Sequence, residues 1–170
     1  MKKSISGQIL GTSVYVDDGN SLVAENVSST LPEITFEQST VEALGTMSLP
    51  VMQRLAGDLD VSINFIGQDS GFVQSVKAGE RSFEVRWAQE IIEPNGQTAP
   101  HGYRVYFDGV LNALPAFGTE LGDAAQSPLT FHCIRYKVVL DGETVLNVDR
   151  VAGVLEIAGE DMTKDLKSLL

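Results

Sequence analysis

In four stretches of this 170-residue chain apolar residues recur at every second position, a period of two that points to half-buried β-strands. Leu59, Val61, Ile63 and Phe65 alternate with Asp58, Asp60, Ser62 and Asn64. Phe83, Val85 and Trp87 alternate with Ser82, Glu84 and Arg86, and Tyr103, Val105 and Phe107 with Arg104, Tyr106 and Asp108. Ile134, Tyr136, Val138 and Leu140 make the fourth set and are expected to share a face. Successive strand side chains point to opposite sides, so each stretch offers an apolar face to a core and a polar face to something else.

The turns agree with this reading. Asp141-Gly142 takes the positive φ values of a two-residue hairpin and returns the chain through Thr144 to Val148. Asp17-Asp18-Gly19-Asn20 separates two short strand patterns at 13–16 and 22–25; a calcium loop would need later ligands and a closing Glu that are missing. Helical patterns are few. Ser70 can cap a short helix bearing Phe72, Val73 and Val76, with Gly79 as its stop. Asp161 can cap a C-terminal helix within 160–170, where Met162, Leu166, Leu169 and Leu170 fall on one stripe. The expected fold is mainly β: an antiparallel barrel or sandwich with a short flanking helix, a single domain over 1–170.

Residues 40–57, "TVEALGTMSLPVMQRLAG", read as a long extended loop. They are too apolar for disorder: Leu44, Met47, Leu49, Val51, Met52 and Leu55 must cover this chain's own core or a neighbour's. Residues 93–102 and 112–126 read as glycine- and polar-rich excursions.

The charge is −11, from 12 basic and 23 acidic side chains, which argues against the cationic patches that nucleic-acid binders need. No run reaches the ~18 apolar residues that span a bilayer, so no membrane insertion is expected. Met1-Lys2-Lys3-Ser4 lacks the apolar stretch of a signal peptide behind it, and the chain is expected to fold in a cytoplasm. Cys133, the sole cysteine, reads as a buried apolar residue, and His132 beside it points to the opposite face and cannot act as its base. His101 has no partner at metal-ligand spacing. Asp58 and Asp60 could pair as catalytic carboxylates, but such residues more often form the solvated side of a sheet. No catalytic residue, metal or cofactor is expected, and the chain does not read as an enzyme.

The order of these pieces carries a resemblance. "VYVDDG" and "LPEITFE" are followed by "ALGTMSLPV", the acidic strand "DLDVSINFIG", then "FDGVLNALPAFGTELGD". "HCIRYKVVLDGETVLNVD" and "VLEIAGEDM" close the series. From about Ser13 to the C-terminus, the chain resembles the major tail tube proteins of contractile-tailed bacteriophages and of phage-tail-like bacteriocins. Residues 1–12 lie outside the resemblance and are expected to form an N-terminal arm. The resemblance implies hexameric rings stacked into a hollow tube, with neighbouring sheets joined into one inner wall. It implies that 40–57 packs between subunits, and an acidic lining, with Asp58 and Asp60 as expected lumen-facing acids, would keep passing double-stranded DNA off the wall. Expected partners are further copies of the chain and the sheath, tape measure, baseplate and tail terminator proteins, in a virion tail assembled in the bacterial cytoplasm. Two alternatives stand beside this reading: the inner tube of a type VI secretion or other contractile injection system, and a soluble β-sandwich binding module.

Overall fold

A computed structural model describes residues 4–17, 19–43, 47–117, 121–122 and 125–164, with backbone alone for 37–43 and 47–54. In chain order the elements are β1 (Ile5–Val16), β2 (Ser21–Glu25), β3 (Ser28–Thr30), β4 (Thr35–Ala43), β5 (Met47–Ala56), β6 (Asp60–Ile66), α1 (Ser70–Ser75), β7 (Glu80–Ile92), β8 (Thr98–Ala113), β9 (Gln126–Leu140), β10 (Glu143–Asp149), β11 (Val154–Ile157) and β12 (Glu160–Asp161). The main sheet runs β12-β11-β10-β9-β8-β7-β1-β2, and β6, with β3 on its far edge, joins along β9. Every pairing is antiparallel, and the described strands do not close into a hydrogen-bonded barrel.

β9 organises the fold because its two halves serve different neighbours. Residues 126–132 pair with β6, and 135–140 pair with β10, while β8 holds the opposite edge. At the changeover Cys133 N–H donates to Leu59 O at 2.7 Å, and Ile134 O accepts from Arg150 N–H at 3.1 Å. Asp108 faces Arg135 and Gly109 faces Cys133, which leaves Ile134 as the extra residue of a β-bulge. The bulge shifts the phase of the strand. Leu129, Phe131 and Cys133 point inward before it, Tyr136 and Val138 after it, so the single face expected from Ile134 to Leu140 begins only at Tyr136.

The other alternations fold as their pattern dictates. Leu59, Val61, Ile63 and Phe65 are buried, as are Phe83, Val85, Val105 and Phe107. Phe83 stacks on Phe107 at 5.1 Å and lies 4.5 Å from Phe131, so three aromatic rings from three strands fill the centre. Both expected hairpin turns form. Asp141 and Gly142 have φ of 51° and 85°, and Asp17 O accepts from Asn20 N–H at 3.2 Å.

The short helix is present, capped one residue earlier than expected: the Asp69 carboxylate accepts from Phe72 N–H at 3.0 Å. Its Gly71 backbone lies directly on Val23 of β2, where a methyl would run into the Val23 carbonyl. Four expectations are refined. The long extended loop expected at 40–57 is built as strand: β4 and β5 form an antiparallel hairpin from Thr35↔Ala56 to Ala43↔Met47. The expected N-terminal arm is largely strand, since β1 pairs with β7 from Ile5 onward, and β8 takes up 98–102 and 112–113 of the expected excursions. At the C-terminal end Glu160 and Asp161 form β12, Met162 lies in a turn, and Lys164 is helical; Leu166, Leu169 and Leu170 lie outside the described residues. The Asp161 carboxylate does accept from Thr163 N–H at 2.8 Å, as a cap would.

Candidate assembly surfaces

Strand edges without partners are the first surface. β2 covers β1 only over Ser13–Val16, so residues 5–11 of β1 are paired with β7 on one edge and with no described strand on the other. Across the same unit, residues 98–102 of β8 pair with β7, but β9 starts opposite Tyr103. The result is a three-stranded tongue of β1, β7 and β8 with both edges open among the described residues. Register shifts around Ile9 interrupt its β1 edge, and Ile5, Ile9, Leu10 and Ile92 are exposed on it. At its root is an open groove of about 490 Å³, lined among others by Thr12, Asn26, Trp87 and Arg104. Open edges of this kind invite another strand.

The β4–β5 hairpin is the second surface. It forms its own two-stranded sheet, hydrogen-bonded to no other described strand. Its base is fixed because Ile34, Phe36 and Leu55 pack against the core. Nine and ten residues give it a reach of about 30 Å. A hairpin of two strands is marginal in water without something to pack on. Of the six apolar residues singled out in the sequence, Leu55 is this anchor. Met47, Leu49, Val51 and Met52 belong to β5, whose backbone alone is described there, and Leu44 lies outside the described residues.

The polar face of the main sheet is the third. Asp58 and Asp60 are exposed, as their alternation requires, and each has a cationic or ionisable neighbour. His132 Nδ1 lies 2.9 Å from Asp60 Oδ1, since β9 places His132 opposite Asp60. Arg150 Nη1 lies 3.7 Å from Asp58 Oδ1. Farther along, Arg135 bridges Asp108 at 2.9 Å and Asp149 at 3.1 Å. The N–H of Ala152 and then Arg135 hold the Asp149 carboxyl below its ordinary value. Bidentate hydrogen bonding and charge from Arg86 do the same for Glu84, against the opposing effect of burial. The acids of this face are therefore interleaved with arginines. Arg135 and Arg150 were not evident in the sequence as parts of a site, because strand register and the turn after Asp149 bring them to their acids from far along the chain.

Cys133 and His101 remain. Cys133 is fully buried, and burial pushes its thiol up to about 12. His101 sits on β8 with Nδ1 3.0 Å from Asp141. Among the described residues no three His, Cys, Asp or Glu side chains converge as metal ligands, and no helix is long and apolar enough to cross a membrane.

Comparison with known proteins adds a family. Residues 7–170 match the family model described as phage tail tube protein FII, so the match begins six residues before Ser13 and takes in most of β1. No curated protein matches. Among solved structures, a chain of the cryo-EM PVC sheath–tube complex of an extracellular contractile injection system, in the extended state, is similar at 14% identity. The similarity covers 76% of this chain and 88% of that one, with a TM-score of 0.46.

Proposed function

This chain belongs to the phage tail tube protein FII family, a structural protein of the tail tube, and from that premise we propose that six copies close into a ring and that rings stack into a hollow conduit. The observation that carries the reading is the surplus of open β edge: the tongue and the β4–β5 hairpin both present strand edges that no described strand of this chain pairs. In a closed ring, the edge of one tongue can pair with the next, so that an aggregation liability becomes the assembly contact. The hairpin, with Leu44, Met47, Leu49, Val51 and Met52, packs between neighbouring subunits in this reading.

The same reading gives the tube a sheath protein outside, a tape measure protein and then double-stranded DNA within, and baseplate and terminator proteins at its ends, in a virion tail assembled in the bacterial cytoplasm. Asp58 and Asp60 face the bore in it. A net negative wall repels DNA over a Debye length of about 8 Å without binding it, and the arginines beside the acids temper that repulsion. The protein acts by shape and charge, with no catalytic step.

Electron microscopy of the purified protein, together with sedimentation at rising concentration, tests the reading. Rings or tubes with a central hole support it. A monomer at every concentration, or oligomers without a channel, overturns it.

A further inference from the structure

We infer that the tip of the tongue carries a site of spontaneous covalent change, at which the side-chain amide of Asn95 is lost to attack by the backbone nitrogen of Gly96. Asn95 is the only one of the chain's six asparagines that is followed by glycine. Glycine matters because its nitrogen is the nucleophile, and no Cβ hinders its approach to the Asn95 side-chain carbonyl. Residues 93–97 close the β7–β8 hairpin: Gly96 N–H donates to Glu93 O and Glu93 N–H to Gln97 O, both at 2.8 Å. Gly96 has a φ of 87°, and residues 94–98 are exposed, so solvent has access to the turn.

The turn arranges the Asn95 carboxamide for this reaction. Its Oδ1 accepts from Gln97 N–H at 2.8 Å, and the ring which that hydrogen bond closes contains the Gly96 nitrogen. The carboxamide is thereby folded back over the peptide bond that attacks it, with a donor already on the oxygen that gains charge in the tetrahedral intermediate. Nδ2, the leaving nitrogen, donates to Glu93 Oε2 at 3.2 Å and to Gln97 Oε1 at 3.3 Å. The Gly96 N–H bond to Glu93 O must open first. The Gly96 nitrogen then gives its proton to water and bonds to Asn95 Cγ; the Cγ–Nδ2 bond breaks, and ammonia leaves with a proton returned by water. Water opens the resulting five-membered imide. Cleavage at Cγ leaves aspartate, and cleavage at the backbone carbonyl leaves isoaspartate, with the main chain running through the side chain. Either product sets a new carboxylate beside Glu93, and isoaspartate adds a carbon to the turn that holds Ile92 opposite Thr98. On the tube reading, on which this last step alone rests, the altered tip spoils an assembly edge.

Folded protein aged at pH 8, sampled over time, digested and weighed by mass spectrometry tests the site. The peptide bearing Asn95 should gain one mass unit, the difference between an amide and an acid, and separate on chromatography into two products. Peptides bearing Asn20, Asn26, Asn64, Asn112 and Asn147 should stay unchanged over the same period. Asn95→Ser should abolish the gain in its peptide. A gain at Asn95 no greater than at the other five overturns the site. Tubes grown from aged protein then test the consequence: modified chains should be depleted in the tubes and enriched in the unassembled remainder. Equal proportions in the two fractions overturn the effect on the tongue and leave the chemistry standing. Fresh protein that forms neither rings nor tubes refutes the tube reading alone, since the mass gain is read without assembly.

Discussion

Arg86 grips Glu84 from two residues away on the same strand, Nε–H donating to Oε1 and Nη2–H to Oε2, both at 2.6 Å. Glu84 lies on the polar side of β7 yet is only 3% exposed, because the hairpin after β1 and Tyr106 crowd it. The guanidinium in turn sits 4.1 Å above the Tyr15 ring. One ion pair thus locks the β1–β2 turn onto the sheet. Arg86→Met should destabilise by about 1–3 kcal/mol at pH 7, less than a fully buried pair because water reaches the arginine. The sign with pH follows from the lowered Glu84 carboxyl. Its contribution is complete above the ordinary value of 4.5 and is lost as pH falls through the lower folded-state value. Urea unfolding across pH 3–7 should show the gap between variant and wild type closing on the acid side; a constant gap would assign the effect to packing.

Gly71→Ala reverses the usual helix preference. In an exposed helix interior alanine is better by about 1 kcal/mol. Here the added methyl meets the Val23 carbonyl carbon and oxygen, backbone atoms that cannot swing aside. Thermal unfolding should show a loss of about 1–3 kcal/mol as α1 is pushed off β2. An unchanged or raised melting temperature would mean that the helix does not pack on β2 this closely.

Strands with clean alternation were readable because one residue in two had to be buried: Leu59, Val61, Ile63, Phe65, Phe83, Val85, Val105 and Phe107 all are, while Trp87 and Tyr103 are half-buried and Glu84 is buried on the polar side. The bulge at Ile134 was not readable. It exists because β9 changes neighbour there, from Leu59 to Arg150, and nothing local to "HCIRY" marks the change. The hairpin of β4 and β5 was missed for another reason. Met47, Leu49 and Val51 do alternate with Ser48 and Pro50, but a proline inside the run argues against a central strand. In a two-stranded sheet each strand has an open edge, so Pro50 opposite Thr40 is tolerated. The same logic divides the surface. That Asp58 and Asp60 share the solvent side was legible from spacing, whereas His132 and Arg150 reach them only through pairings many residues apart.

Cys133 should be inert in the folded protein. Its side chain is 0% exposed and desolvation pushes the thiol to about 12, against an ordinary 9.0. A thiol-reactive dye at pH 8 should label it only at the rate of unfolding, and fully in denaturant. Because the folded value lies above the unfolded one, stability is unaffected by this group below pH 9 and falls as pH climbs from there towards 12. Fast labelling of native protein would contradict the burial of this strand.

Leu49→Asp separates assembly from folding. Leu49 belongs to β5, opposite Val41 in a hairpin that pairs with no other described strand, and the hairpin's fixed base at Phe36 and Leu55 lies several residues away. A charge at this position should therefore leave the melting temperature of the monomer close to wild type, within about 0.5 kcal/mol of stability. If the hairpin packs between subunits, burying an unpaired carboxylate there is costly enough to block the contact. Electron microscopy should then show no tubes, and sedimentation a folded monomer. Tubes of normal length from this variant would assign the hairpin a role outside assembly, and a variant that unfolds would mean the strand is held by its own domain.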